Sequence, residues 1–272
     1  MKEKIKAWFG KVIALSPELG TRTLDMLKIT AADILPCAAV LAVLYVLGTL
    51  CSALKWEEGV SMLMDLIGSI ALVPVIAGMV TYLVGAKWEK RNVNWMDAVH
   101  LVRIKWKNMI LTGLCAGLVG IAANWIGMML YSLVQIVSML LGWIPVLGSV
   151  VSGIVACILW LISLAMEFVV HAALVMGMMA LTADGMNGRM QAQRVLTVLR
   201  GGWADVSAKL TAVFGAWVVV KGIYEVLYSL LPIGAPLVWC AVTALLTVGS
   251  MVAVSVIYLT RRDHMDGTSY YA

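Results

Sequence analysis

Charge is what this chain has least of. Of its 272 residues only 13% are Asp, Glu, Lys or Arg, and 62% are hydrophobic. A soluble domain carries roughly 25% charged and about 45–50% apolar residues. Even a good core leaves many side chains partly wet, so this excess has no place in a water-soluble fold of such length. The deficit excludes a soluble enzyme, a secreted disulfide scaffold and a disordered tail. Paired cysteines are lacking too. Cys37, Cys51, Cys115, Cys157 and Cys240 stand singly in apolar stretches with no CxxC spacing, as small reduced packing residues rather than disulfides or metal ligands. No HExxH, no phosphate-cradling glycine loop and no Ser/His/Asp arrangement occurs. The sequence therefore offers no catalytic residue, no metal site and no cofactor site. Asp184-Gly-Met-Asn-Gly-Arg189 has the outline of a calcium loop, but Met186 occupies a ligand position and the segment reads as a turn. The 18 methionines read as gap-fillers of apolar helices. The net charge of +5 comes without a basic polar domain interleaved with stacking aromatics, which excludes nucleic acid as a partner.

What is present is a series of uncharged runs. Residues 34–54 and 66–86 are each 21 residues without charge, and residues 108–166 are 59. Runs of this length are membrane spans, and the longest holds two. Gly142-Trp-Ile-Pro-Val-Leu-Gly148 supplies a turn within it, which predicts helices at about 109–141 and 149–183. Residues 210–231 and 237–260 form a last pair around Pro232-Ile-Gly-Ala-Pro236. The third helix is longer than a bilayer core needs, so its outer third protrudes, tilts or lies in the interface. Eighteen of the 20 Lys and Arg fall on one side of these six spans, leaving Lys55 opposite and Lys221 inside the fifth. Both termini are then cytoplasmic. Trp88, Trp95, Trp106 and Trp203 mark the inner interface, and Trp56, Trp143 and Trp239 the outer one. The N-terminus lacks a cleavable signal. Ile5, Trp8, Phe9 and Val12 recur at helical spacing with Lys2, Lys6 and Lys11 off that face, as in a helix lying on an anionic surface.

Three segments that precede spans one, three and five align without gaps: Leu24-Asp-Met-Leu-Lys-Ile-Thr-Ala-Ala-Asp33, Val99-His-Leu-Val-Arg-Ile-Lys-Trp-Lys-Asn108 and Leu196-Thr-Val-Leu-Arg-Gly-Gly-Trp-Ala-Asp205. Each reads as an amphipathic surface helix that bends into the membrane at an elbow, where Asp or Asn caps the incoming span. The expected fold is an all-α integral membrane protein, a single transmembrane domain over residues 1–272. Its six helices form three hairpins, each behind a cytoplasmic surface helix, in repeat units of about 1–90, 91–188 and 189–272. On the elbows Lys28/Asp33, Arg103/Trp106/Asn108 and Arg200/Trp203/Asp205, this layout resembles the membrane domain of bacterial glycerophosphodiester phosphodiesterases. It is also similar to stand-alone inner-membrane proteins of the YciC type. The resemblance covers most of the chain, implies the same helical layout in a bacterial-type inner membrane and carries over no catalytic residue.

Polar residues at membrane depth are few and are functional candidates by default. They are Asn124 in span three, Glu167 and His171 in span four, and Lys221 and Glu225 in span five. At about 1.5 Å per residue, Asn124, Glu167 and Lys221 share one layer roughly 24 Å from the inner helix ends. Under the repeat alignment Asn124, Lys221 and Thr49 are equivalent. Gly113, Gly117, Gly120, Asn124, Gly127 and Tyr131 follow one helical stripe, which predicts close helix packing with Asn124 facing protein. Two function classes follow. One is a non-enzymatic membrane protein acting through lipids and partner proteins. Lys28, Arg103, Lys105, Lys107 and Arg200 would then grip anionic headgroups, and the small-residue stripe would pack against helices of this chain, a second copy or another membrane protein. The other is a transporter or permease subunit using the polar layer between spans three, four and five. A dry, mutually paired layer favours the first and a common water-filled cavity the second.

Overall fold

A computed structural model describes residues 2–53, 68–141, 145–200, 202–230 and 235–267. Among them the chain is all-helical. Helix α1 is Lys2–Ala53, α2 is Val73–Trp88, entered through a π turn at Gly68–Leu72, and α3 is Trp95–Leu141. Helices α4 (Pro145–Thr182), α5 (Arg189–Arg200), α6 (Trp203–Leu230) and α7 (Ala235–Asp266) complete the set. Five of them, α1, α3, α4, α6 and α7, are long and apolar enough to cross a membrane, and α2 is a shorter apolar helix of 16 residues. The turn between α2 and α3 has neither Gly nor Pro and turns on Lys90, at φ 57°, whereas other helix ends use both. Pro145 opens α4, where its missing N–H costs no helical hydrogen bond, and Gly185 and Gly188 take positive φ in the turn before α5.

Helix α7 forms the centre. Met251–Leu259 are buried without interruption, as expected of a helix apolar on every side. It packs against α1, α2, α4 and α6, while α2 lies between α1 on one side and the α3–α4 pair on the other. Helices α3 and α4 are antiparallel. A β-carbon at Gly177 would stand 2.9 Å from Thr112, one at Gly120 3.0 Å from Val170, and one at Gly127 3.3 Å from Met166. Only glycine lets the two backbones come this close. The C-terminal ends of α2, α4 and α7 meet at one end of the bundle, joined there by hydrogen bonds.

Two of the three expected elbows are not breaks in the helix. Residues 24–33 lie inside α1 and residues 99–108 inside α3, whereas 196–205 divide between α5 and α6. The physical reason is in the segments themselves, because only the third contains Gly201-Gly202 and the other two hold no helix breaker. The expected surface helix at the N-terminus is likewise the start of the 52-residue α1. At about 1.5 Å per residue that helix is roughly 78 Å long. Pro17 and Pro36 inside it are the places where it loses a backbone hydrogen bond and can bend. The caps differ too. Asn94 caps α3: its Oδ1 accepts from the backbone N–H of Met96 (2.9 Å) and Asp97 (3.2 Å), and Asp97 Oδ2 accepts from the N–H of Asn94 (2.8 Å). This reciprocal capping box lies 14 residues before Asn108, the residue expected in that role.

Candidate functional site

The polar layer expected in the membrane is brought together in part. Glu167 on α4 and Lys221 on α6 meet, with the ammonium donating to Oε1 at 2.9 Å and Oε2 at 2.8 Å. Lys221 also lies over the ring faces of Trp217 (5.4 Å) and Trp239 (5.9 Å). A carboxylate and two indole faces together replace the water that the ammonium gives up. The Lys221 side chain is 13% exposed but that of Glu167 is 49% exposed, so the pair opens on the flank of the bundle. His171, one turn along α4 from Glu167, turns the other way. It is buried, its Nε2 sits 2.8 Å from Ser250 Oγ on α7, and its ring packs on Trp217 at 5.3 Å. Phe168 and Phe214 wall this spot together with Trp217.

Within the single chain Asn124 is exposed rather than packed on a neighbouring helix. The glycine stripe is about 80° wide on a helical wheel, and α4 covers only one edge of it. Ala116, Ala123 and Gly127 are buried and Gly120 meets Val170, whereas at Gly117 nothing lies within 4 Å of where a β-carbon would stand. Of the predicted packing stripe, Gly120 and Gly127 therefore pack on α4, Gly113 is half-buried and Gly117 is open. The side chain of Glu225 lies outside the described residues. Thr49, the third member of the aligned layer, stands 3.5 Å from Cys240 Sγ and lines a cavity of about 300 Å³ between α1 and α7. Trp239 forms part of that wall and is the same ring that Lys221 approaches, so Thr49 and Lys221 share a neighbourhood that Asn124 does not.

The basic residues separate in the same way. Lys28, Arg103, Lys107 and Arg200 are exposed, and Lys107 lies over the Trp106 ring at 5.6 Å. Lys105 is not part of that surface. It is half-buried and donates to the Leu181 carbonyl at 3.1 Å, where a cation complements the C-terminal end of α4. Trp88 is not an interfacial residue either, being 1% exposed with its indole N–H on Asp263 Oδ2 at 2.8 Å.

That last bond belongs to a cluster absent from the sequence reading. Arg262 on α7 is 6% exposed, and it bonds Glu89 (3.0 Å), Asp263 (3.0 Å) and Asp184 (3.4 Å). Asp184 also accepts from the Tyr258 hydroxyl at 2.7 Å and from Arg194 at 2.9 Å, and Arg194 reaches on to Asp266. The Arg194 guanidinium is held above its ordinary pKa, first by the bond to Asp266 and then by that to Asp184, against the cost of burial. Beside this cluster Lys87 on α2 pairs with Asp33 on α1 at 3.4 Å. Together these bonds tie α1, α2, α4, α5 and α7 at one end. A signal did exist in the sequence, since Glu89, Asp184 and Asp263 each follow the end of an apolar run. Orientation arguments count Lys and Arg and give acids little weight, which is why these three carried none.

Among the described residues no group of His, Cys, Asp or Glu is arranged to hold a metal ion. Neither a family model, nor a curated protein, nor a solved structure matches this chain.

Proposed function

We propose that this chain is a non-enzymatic, six-span protein of a bacterial-type inner membrane, with both termini cytoplasmic, that acts through anionic lipid headgroups and partner membrane proteins. The carrying observation is that, among the described residues, the ionisable groups Glu167, His171 and Lys221 find partners within the chain. Lys221 is neutralised by Glu167, and His171 is buried against Ser250. A transport route would have such groups face a common water-filled space. The sixth span is supplied by the π turn and α2, residues 68–88, whose 21 residues measure about 30 Å, the thickness of the hydrocarbon core. The cytoplasmic face is the end where α2, α4 and α7 finish, because eighteen of the 20 Lys and Arg belong there.

Lipid gripping is supported by the exposed row Arg103, Ile104, Trp106 and Lys107 at the start of α3, with Lys28 and Arg200. Each such cation adds about 1 kcal/mol near an anionic surface. Replacing both Arg103 and Lys107 by Glu removes two cations and adds repulsion. The preference for phosphatidylglycerol over phosphatidylcholine, read by native mass spectrometry of the solubilised chain, should fall about 30-fold or more. An unchanged preference would contradict lipid gripping. A second reading, a permease subunit, draws on the cavity whose wall Trp239 shares with Lys221. It requires water to reach His171, so that a cysteine placed there would be labelled by a membrane-impermeant maleimide.

A further inference from the structure

The polar groups around the cavity between α1 and α7 share their protons so that one is left over. Thr49 donates to the Tyr45 carbonyl one turn back, at 2.8 Å, so its 3.5 Å contact with Cys240 takes the thiol as donor. Thr247 donates in the same way to the Thr243 carbonyl, at 2.8 Å, so its 3.4 Å contact with Tyr45 takes the phenol as donor. A hydroxyl or thiol has one proton to give, and in these four groups it is spent. Thr243 lines the same cavity, and its buried hydroxyl has no hydrogen-bond partner among the described residues. Such a group is costly to leave unpaired. A turn about χ1 exchanges the hydroxyl and methyl of Thr243, and an oxygen lodged in the cavity favours the rotamer that presents the hydroxyl. The spare group is a donor, so what answers it is an acceptor.

The surroundings indicate what carries that acceptor. At about 300 Å³ the cavity has the volume of a small ligand pocket. One wall is the Trp239 ring, held flat by stacking on Tyr224 at 3.8 Å. Beside the lining residues, Leu47 and Leu50 on α1 and Val238 on α7 are exposed, so the mouth is rimmed by apolar side chains and suits a ligand that carries hydrocarbon. Its depth is also defined. Thr49 stands 16 residues past Asp33, whose pair with Lys87 lies at the clamped end of the bundle. That is about 24 Å into a hydrocarbon core of about 30 Å, close to its far edge. At that edge a phospholipid holds its ester carbonyls, which accept hydrogen bonds, carry no proton and are joined to acyl chains. We propose that this cavity binds a phospholipid of the outer leaflet, with an ester carbonyl accepting from the Thr243 hydroxyl and the adjoining acyl chain lying against Trp239.

The proposal rests on the reading that the chain spans a bilayer and acts on lipids, and its test separates the two. The purified full-length chain in mild detergent is offered an equal mixture of diacyl and dialkyl phosphatidylethanolamine of matched chain length, and the retained lipid is read by native mass spectrometry. These lipids differ only in the ester carbonyls. The wild type should hold the ester form about tenfold over the ether form. Thr243→Val keeps the branched shape, removes the hydroxyl and should bring that ratio close to one. Gly48→Phe should do the same by filling the cavity, because a β-carbon at Gly48 meets nothing within 4 Å. Equal retention of the two lipids by the wild type, or a ratio that survives in either variant, would overturn the site. The preference for phosphatidylglycerol over phosphatidylcholine belongs to Arg103 and Lys107 and should not move in Thr243→Val. A wild type that shows this headgroup preference without the ester preference would overturn the cavity site alone, whereas a wild type with neither would contradict the lipid reading as well.

Discussion

Replacing Arg262 by Met keeps most of the side-chain volume and deletes the cation that joins three helix ends. In the wild type Arg262 is 6% exposed and bonds Glu89, Asp184 and Asp263 at 3.0–3.4 Å. The side chains of Asp184 and Asp263 are themselves 6% and 9% exposed. Removing one partner of a buried ion pair costs about 3–5 kcal/mol, because the other charge is left in low dielectric. Here the loss is cushioned. Asp184 keeps Arg194 and the Tyr258 hydroxyl, and Asp263 keeps the Trp88 indole. The expected cost is therefore the lower end, about 3 kcal/mol. For a chain of this order of size that lowers the unfolding midpoint by about 6–12 °C, read by tryptophan fluorescence in mild detergent. Glu89→Gln should cost less in the Met background than in the wild type, with a coupling of about 1 kcal/mol. An Arg262→Met midpoint within about 2 °C of the wild type, with no coupling to Glu89, would refute the reasoning that this cluster clamps the helix ends.

The remaining predictions concern packing on α4. Gly177→Ala would place a β-carbon 2.9 Å from Thr112 Cγ2 and should destabilise by about 1–3 kcal/mol through overpacking. Gly215→Ala, with nothing within 4 Å, should be neutral or gain a few tenths of a kcal/mol in thermal unfolding; equal effects at both sites would contradict the α3–α4 register. Lys105→Met should lower the midpoint without altering phosphatidylglycerol preference, since its ammonium is spent on the Leu181 carbonyl. A change in lipid preference with no change in stability would return Lys105 to the lipid-facing surface.

Much of the helix layout is legible because hydrocarbon leaves the backbone little choice. The uncharged runs and the Gly/Pro breaks at 142–148 and 232–236 give helix bodies that α3, α4, α6 and α7 follow closely. Glu167 and Lys221 are legible as candidates, because apolar runs expose any charge in them. Which partner Lys221 takes is not, since the nearer Glu225 and the distant Glu167 both fit its spacing. The exposure of Asn124 within the chain was not legible for a geometric reason: a small-residue stripe shows where a helix can approach, and only the packed structure shows which edge of it is covered. The clamp around Arg262 was invisible because its members, Glu89 just after α2, Asp184 just after α4, Arg194 on α5 and Arg262 on α7, lie far apart in sequence.

The central claim is that Glu167, His171 and Lys221 find their partners inside the chain rather than along a water path. His171 tests it most directly, being buried between Ser250 and Trp217 at a depth that a water path would have to cross. His171→Cys would be made in a chain freed of its own cysteines and reconstituted in sealed vesicles. A membrane-impermeant maleimide would then be added from each side in turn, with Lys28→Cys as the accessible reference. The account predicts prompt labelling of position 28 from one side and none at position 171 from either. Labelling at 171 at a rate comparable to that at 28 would contradict it and favour a transport route through the bundle.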